Sequence, residues 1–193
     1  MQTTLVMNKK LIIIEGTDNV GKDTVINQLL DRYKDAKVYH CEKPKSKDAK
    51  EAAKEQYNSF LSLAKENSVS KDTTIIHNRS WYGEYVYGVK YRNNDENEVK
   101  KSILEFENIL LSNIDDVCLI MLLSNNSDFL VKNDDGLSIS KAKKELIEDE
   151  TKRFEEIFKF STIPNKCIIY VNDGENWKSK EEIINKIYEI IKK

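Results

Sequence analysis

The feature that most constrains this 193-residue chain is a glycine-lysine loop between an apolar segment and an amphipathic one. Residues 10–15 read Lys-Leu-Ile-Ile-Ile-Glu, typical of a strand buried on both faces of a parallel sheet. Residues 16–22 read Gly-Thr-Asp-Asn-Val-Gly-Lys, and apolar residues then recur at helical spacing over 26–33. A G-x-x-x-x-G-K sequence in this position turns backbone N–H groups toward phosphate oxygens, and the lysine adds a cation. The sequence therefore predicts a phosphate-binding loop (P-loop) for a nucleoside triphosphate.

The residue after the lysine departs from the usual P-loop pattern. Asp23 stands where a Ser or Thr hydroxyl normally ligates Mg²⁺, and a carboxylate can hold that ion directly or through water. Glu15, directly before the first glycine, is placed to orient a Mg²⁺-bound water or the lysine. We therefore predict a Mg²⁺ site with Asp23 as ligand and Glu15 acting through water. The residues predicted to bind ATP are those of the loop and the first helical turn: Gly16, Asn19, Val20, Gly21, Lys22, Asp23 and Thr24.

The remaining sequence alternates strand-like and helical patterns. Strands are predicted near 37–41, 73–77, 117–123 and 166–171, and helices near 48–67, 80–91, 99–114, 146–158 and 183–191. Residues 124–140 are polar, fit neither periodicity and predict a mobile surface segment. This order predicts an α/β P-loop NTPase fold, a parallel sheet of about five strands flanked by helices, in a single domain over 1–193.

Composition excludes several other classes of protein. Lys and Arg number 31 against 33 Asp and Glu, so the chain lacks the basic surplus of a dedicated nucleic-acid binder, although local contact with nucleic acid stays open. The apolar runs are far shorter than the roughly 20 residues of a membrane helix, and no signal-peptide pattern begins the chain. The three cysteines contain no C-x-x-C pair, which argues against a disulfide framework or a zinc site and favours the cytoplasm.

Three sequence features at matching distances carry a resemblance to a known family. They are Ile14-Glu15-Gly16-Thr17-Asp18, the Asn78-Arg79 pair, and Tyr87. The chain resembles the thymidylate kinase-like nucleoside monophosphate kinases, above all divergent virus-encoded deoxynucleotide kinases. The resemblance implies Mg²⁺-dependent transfer of a phosphoryl group from ATP to a (deoxy)nucleoside monophosphate, and a homodimer. It also implies an acceptor-binding segment at about 42–72 and a lid at about 124–145. The Lys- and Asn-rich composition suits an AT-rich viral genome, and hence the cytoplasm of a host cell.

The resemblance assigns catalytic roles to particular residues. Arg79 matches the arginine that holds the acceptor phosphate, and Asp18 lies where the family holds the sugar 3′-hydroxyl. Arg153, on the helix after the lid, is placed to reach the transferred group when the lid closes. Asn78 replaces the family's Asp, and the lid carries lysines instead of arginines. The predicted catalytic set is Lys22, Arg79, Asp18, Glu15 and Arg153.

The acceptor side is rich in aromatic residues, each of which is also a candidate for core packing. Gly88 stands where the family's thymine-reading Gln would be, so the acceptor base stays open. Positively charged side chains bind a phosphate, whereas aromatic side chains stack on a base and polar side chains hydrogen-bond to its edge. The residues predicted to bind the acceptor are Asp18, Glu42, Tyr57, Phe60, Arg79, Tyr82, Glu84, Tyr87 and Arg92.

Two alternative functions remain open from the sequence. A kinase of a hydroxyl group, on a deoxynucleoside or a modified base in DNA, would need a carboxylate as general base, for which Glu42 and Glu84 are the candidates. A nucleotide-binding protein without catalysis would account for Asp23, Asn78 and the arginine-free lid.

Overall fold

A five-stranded parallel sheet forms the centre of the computed structural model, which describes residues 10–41, 45–46, 48–69, 74–141 and 143–191. The strand order is β2-β3-β1-β4-β5, and every pairing within this sheet is parallel. The predicted α/β P-loop architecture is therefore confirmed. The strands are β1 (Lys10–Gly16), β2 (Lys37–His40), β3 (Thr74–Asn78), β4 (Asp116–Leu123) and β5 (Asn165–Tyr170).

Helices cover both faces of the sheet, which explains why residues 11–14 of β1 are all apolar. Leu11 and Ile13 belong to one buried cluster, while Ile12 and Ile14 belong to the cluster on the opposite face. The helices are α1 (Lys22–Arg32), α2 (Ala49–Val69), α3 (Val89–Arg92), α4 (Glu96–Asn113), α5 (Ser127–Lys132), α6 (Lys144–Phe160) and α7 (Lys180–Ile191). A π-helical turn, Glu84–Gly88, precedes α3, and a short antiparallel hairpin of β6 (Asn172–Asp173) and β7 (Asn176–Trp177) follows β5.

The polar stretch 124–140 is not wholly irregular, so that prediction is wrong in part. Helix α5 lies inside it because the side chain of Asn126 caps the helix, accepting hydrogen bonds from the backbone N–H groups of Asp128 at 3.0 Å and Phe129 at 3.3 Å. Phe129 and Leu130 are buried in the core. A helix of six residues is too short for its two apolar residues to produce a readable period.

Three of the aromatic residues assigned to the acceptor, Phe60, Tyr82 and Tyr87, belong to the buried core. Tyr82 is fully buried and its hydroxyl donates to Glu107 at 2.6 Å, while Phe60 packs edge-on against Trp81 and Phe106. Their burial supports the core-packing interpretation that the sequence left open.

The parallel topology gathers the carboxyl ends of all five strands at one edge of the sheet, where α/β proteins bind their ligands. Gly16, His40 and Asn78 end β1, β2 and β3 there, whereas Asn113 ends α4 just before β4 begins, at the opposite edge. Within the described ranges, no helix combines the length and apolar character needed to cross a membrane.

Candidate active site

The glycine-lysine loop has the backbone conformation that its sequence predicts. Asn19 and Gly21 have left-handed φ values of 60° and 77°, and Gly16 has a φ of 142°. A Cβ atom at Gly16 would collide with the backbone carbonyl of Leu122, so only glycine fits where β1 passes β4. The Lys22 ammonium donates to the carbonyl oxygens of Gly16 at 3.0 Å and Thr17 at 2.5 Å. The lysine therefore ties the start of the loop to the start of α1.

This loop forms one wall of a cavity of about 650 Å³, called here the central cavity. Loop residues 133–139, which follow α5, form the facing wall and lie within the predicted lid. The volume is in the range of small-molecule and cofactor sites. Its lining residues are Asp18, Asn19, Val20, Gly21, Lys22, Asp23, Thr24, Cys41, Arg79, Asn133, Asp135, Leu137, Ser138, Ile139 and Trp177.

Arg79 and Asp18 meet at the edge of the central cavity. An Arg79 Nη2 donates to Asp18 Oδ1 at 3.0 Å, and the backbone N–H of Arg79 donates to the Ile14 carbonyl at 2.9 Å. The Arg79 backbone has a left-handed φ of 68°, uncommon for a residue with a side chain. The turn after β3 therefore directs this arginine to the P-loop. Arg79 and Asp18, which the sequence analysis assigned to the acceptor, thus lie together.

Two hydrogen bonds hold the lid loop against the P-loop. The Asn19 amide donates to Asp134 at 2.5 Å, and the backbone N–H of Ile139 donates to Asp18 Oδ2 at 3.3 Å.

The lid faces the cavity with acidic, polar and apolar side chains, since none of its lysines is among the described lining residues. Lys144 is instead paired with Asp128 at 2.6 Å. A lysine of the lid is therefore not in place to neutralise a transferred phosphate in this arrangement.

Two buried groups of opposite charge, Glu15 and Lys22, lie at the P-loop. Glu15 is 1% exposed and accepts a hydrogen bond from the backbone N–H of Ser80. Burial raises the pKa of Glu15 to about 7, although Ser80, Lys22 and Arg79 act to lower it. Burial, with the nearby Arg79, lowers the pKa of Lys22 to about 8. The phosphates of a bound nucleotide would favour the charged lysine, because an adjacent negative charge stabilises an ammonium.

The raised pKa of Glu15 predicts a pH-dependent stability. The folded chain keeps the Glu15 proton to a higher pH than the unfolded chain, so this group's contribution is complete below about 4.5 and is lost as the pH rises through about 7. Glu15→Gln removes this loss while its amide oxygen still accepts from Ser80. In thermal denaturation, we expect the melting temperature of the variant to gain on that of the wild type by several degrees between pH 5 and pH 8. Parallel pH curves would contradict this assignment.

Asp23 lines the central cavity beside Asn78. The Asn78 amide nitrogen donates to Asp23 Oδ1 at 2.6 Å and lies 3.0 Å from His40 Nδ1. Within the part of the chain that the structure describes, no three His, Cys, Asp or Glu side chains form a metal-binding group. Mg²⁺ commonly takes only one or two carboxylates and completes its shell with water and phosphate oxygens. A single oriented carboxylate at the P-loop therefore fits this ion.

Arg92 and Glu84, two residues assigned to the acceptor, are paired with each other. Arg92 Nη2 donates to the Glu84 carboxylate, which is 2% exposed and also accepts from the Asn94 amide at 3.1 Å. Gly88 leaves room for this cluster, because a Cβ atom there would collide with the Glu84 carboxylate and the Asn94 amide. Neither Arg92 nor Glu84 is among the described residues that line the central cavity. Their roles in substrate binding stay predictions.

The other predicted site residues are dispersed. Tyr87 is 7% exposed, stacks on Tyr91 at 6.4 Å between ring centroids, and has no hydroxyl partner among the described residues. Tyr57 lines a separate cavity of about 570 Å³ between α2 and the start of α4. Arg153 donates to Asp149 at 3.3 Å and lies over the Tyr85 ring. Glu42 lies outside the described residues.

Trp177 is a site residue that the sequence analysis missed. It lies in β7, is 45% exposed, and lines both the central cavity and an adjoining apolar cavity of about 470 Å³. Its ring packs edge-on against Phe129 at 4.7 Å between centroids. Across the central cavity, Leu137 of the lid is 80% exposed. The sequence signal that could have identified it is a lone tryptophan in the polar stretch 172–178, which no helical or strand period explains.

Solved structures of similar fold are nucleotide and polyphosphate kinases, among others. The YorR protein of Bacillus subtilis, crystallised with phosphorylated GDP, matches with a TM-score of 0.69 and 18% identity over 95% of this chain and 96% of that one. Thymidylate kinase of Candida albicans matches with a TM-score of 0.68 and 15% identity over 96% and 92%. Polyphosphate kinase 2 of Arthrobacter aurescens TC1 matches with a TM-score of 0.60 and 15% identity over 84% and 62%.

A family model also matches the sequence itself. The model of Polyphosphate kinase 2 (PPK2) aligns with residues 1–124, nearly two thirds of the chain, from before β1 to the residue after β4. No curated protein matches the sequence. The matched range contains the P-loop, Asp23, Asn78 and Arg79.

Proposed function

This chain belongs to the polyphosphate kinase 2 family and is a phosphotransferase, and we propose that it transfers the γ-phosphoryl group of ATP, with Mg²⁺, to a (deoxy)nucleoside monophosphate. The family differs from the thymidylate kinase-like one that the sequence resembles, while both share the P-loop kinase fold. A virus-encoded origin, a homodimer and a cytoplasmic location stay predictions from that resemblance and from composition.

The observation that carries this proposal is that Lys22 and Arg79 line one cavity. Phosphoryl transfer depends on aligning two phosphates and neutralising their charge more than on covalent help from the protein. Lys22 at the P-loop serves the donor phosphates, and Arg79 at the end of β3 serves the acceptor phosphate. Asp134 and Ile139 of the lid loop are hydrogen-bonded to the P-loop, so the lid lies close to the proposed donor phosphates.

Asp23 is the group proposed to hold Mg²⁺, with Glu15 behind the loop. When bound, the ion would neutralise negative charge on the phosphate oxygens of the nucleotide. Glu15 does not line the central cavity, and its contact to Ser80 holds the loop after β3. Its direct part is therefore to support the turn that carries Arg79.

The surroundings of Glu84 favour a phosphate acceptor over a hydroxyl acceptor. A hydroxyl group needs a base to take its proton, whereas a monophosphate is already anionic. The Glu84 carboxylate is buried, held by Arg92 and Asn94, and does not face the central cavity. Glu42, the other candidate base, is tested by substitution: Glu42→Gln should spare a phosphate acceptor and abolish transfer to a hydroxyl.

Two donors are compatible with the family, ATP and polyphosphate. The aromatic face of Trp177 and the apolar side chain of Leu137 at the central cavity favour ATP, because a nucleobase buries apolar surface and polyphosphate has none to bury. Polyphosphate is the second candidate because the family model is that of a polyphosphate kinase.

Trp177→Ala distinguishes these donors. We expect the KM for ATP to rise by roughly 10-fold, in line with the loss of one base-stacking contact, and any polyphosphate-dependent rate to stay unchanged. Trp177→Phe, which keeps a ring, should retain most of the affinity for ATP. An equal loss with both donors would show that Trp177 supports the fold of the hairpin and does not bind the base.

The proposed function is tested by a panel of donors and acceptors. ATP and polyphosphate are each offered, with Mg²⁺, against all nucleoside and deoxynucleoside monophosphates, the nucleosides, and short DNA. Phosphorylation of one or more monophosphates from ATP is the expected result, and it would also identify the base. Transfer only to nucleosides or DNA would establish the hydroxyl kinase. Binding of ATP without turnover on any acceptor would establish a nucleotide-binding protein without catalysis.

A further inference from the structure

Three carboxylates meet where the lid lies against the P-loop, a region called here the lid seam. Asp18 of the P-loop, Asp134 of the lid loop and Glu150 of α6 line the same cavity of about 10 Å³, which has space for one water molecule at most. Carboxylates this close repel one another unless a donor compensates each of them. Glu150, which is 2% exposed, accepts a hydrogen bond from the Tyr91 hydroxyl at 2.6 Å.

The other two carboxylates of the lid seam have donors on the phosphate-binding side. Arg79 donates to Asp18 at 3.0 Å, and the Asn19 amide donates to Asp134 at 2.5 Å. The first pair joins two residues at the P-loop. The second pair crosses from the P-loop to the lid loop, so the lid seam depends on it directly.

The contact with Asn19 also determines where the charge of Asp134 lies. Asp134 is not among the described residues that line the central cavity, although its neighbours Asn133 and Asp135 are. A carboxylate released from the lid seam at this position could turn toward the phosphates of a bound donor and repel them. Asn19 therefore makes an acidic lid compatible with an anionic ligand.

The backbone at Asn19 explains why this residue type suits the contact. Its φ of 60° is left-handed, a conformation that glycine, asparagine and aspartate adopt more readily than other residues. Among these three, only asparagine has a side chain that donates a hydrogen bond to a carboxylate at neutral pH. Both the turn of the P-loop and the contact to the lid are thus met by one residue.

We infer that Asn19 is a positioning residue for the lid: through Asp134 it holds the lid loop closed against the P-loop before a donor binds, with Leu137 at the central cavity. The inference rests on the proposed function in one respect, since the ligand that the closed lid encloses is the proposed ATP. A loop already held in its bound position costs less to order when the ligand binds.

Hydrogen exchange of the full chain without nucleotide tests this inference. The backbone N–H of Ile139 donates to Asp18 across the lid seam, so its exchange rate, followed by nuclear magnetic resonance, reports opening of the lid. Asn19→Gly should raise this rate by about 10-fold or more, as expected for the loss of a hydrogen bond to a charged group. Asn19→Asp should raise it further, because two carboxylates then meet.

Exchanging the two side chains provides a rescue that a general loss of structure would not show. Asn19→Asp combined with Asp134→Asn restores the pair with donor and acceptor reversed, and the Ile139 exchange rate should return to within about 3-fold of the wild type. Asn93→Gly is the matched control. Asn93 also has a left-handed φ, 57°, but lies between α3 and α4, so this variant should keep the wild-type rate.

The outcomes separate this inference from the proposed function. A wild-type rate at Ile139 in both Asn19 variants would overturn the positioning role, as would a double variant that exchanges as fast as Asn19→Asp alone. Faster exchange in Asn93→Gly would overturn it too, since the lid would then respond to glycine at a distance. Absence of ATP binding by the wild type, measured by calorimetry with Mg²⁺, would overturn the proposed function and leave the exchange rates to decide the role of Asn19.

Discussion

Lys22→Met is expected to lower kcat/KM for phosphoryl transfer by at least about 10³-fold, the largest effect of any single substitution at this site. Lys22 is 6% exposed, and burial and Arg79 lower its pKa. The neighbouring carboxylates therefore do not fully compensate the charge of its ammonium group. A triphosphate supplies the missing negative charge. Methionine keeps the length and apolar stem of the side chain but removes the cation. Steady-state release of ADP from ATP, measured with each active acceptor, gives the ratio directly.

Loss of the loop's own structure must be distinguished from loss of the cation. The Lys22 ammonium also donates to the carbonyls of Gly16 and Thr17, so its removal leaves two loop acceptors without this donor. The far-ultraviolet circular dichroism and melting transition of Lys22→Met should show a folded protein. Lys186→Met, on the exposed face of α7, is the matched control and should keep full activity. More than a tenth of wild-type activity in Lys22→Met would place the donor phosphates elsewhere.

The donor half of the site was predictable because it depends on local sequence. The apolar residues 11–14 are typical of a strand buried on both faces, and Gly16 and Gly21 fit the backbone that a P-loop needs. Arg79 followed from its place at the end of β3, since parallel strands end at one edge of the sheet. These features require no knowledge of how distant side chains meet.

The acceptor half was less predictable because the helix after β3 does not keep the α-helical period. Residues 84–88 form a π-helical turn, in which the backbone N–H of Val89 donates to the Glu84 carbonyl five residues earlier. Each such turn rotates the following side chains relative to an α-helix. Glu84 and Arg92 are paired with each other, although the sequence analysis assigned both to the acceptor.

Trp177 and α5 escaped prediction for a different reason. Trp177 lines the same cavities as P-loop residues that lie some 150 positions earlier in the sequence. Helix α5 depends on the cap of Asn126 and on two buried apolar residues. Tertiary contacts and capping therefore determine these features, and single-sequence periodicity is insensitive to both.

Arg79→Lys is expected to lower kcat/KM for the acceptor by about 10²-fold, with most of the loss in kcat. One Nη atom of Arg79 is bound by Asp18 at 3.0 Å, and the side chain is 43% exposed at the central cavity, so its remaining N–H donors are available to phosphate oxygens. A lysine keeps the charge but not the planar fork that holds a phosphate at two points. The measurement is a full kinetic analysis with the acceptor varied at saturating donor.

Two further variants, Arg153→Lys and Arg32→Lys, serve as controls for Arg79→Lys. The guanidinium of Arg153 is engaged by Asp149 and lies over Tyr85, so its replacement should change kcat/KM by less than about 3-fold. Arg32 packs over the Tyr188 ring at the far end of α1 and serves as a control for the chemical change itself. If Arg153→Lys were the variant that lost activity while Arg79→Lys kept it, the lid helix would supply the catalytic arginine. The arrangement of α6 described here would then have to change during the reaction.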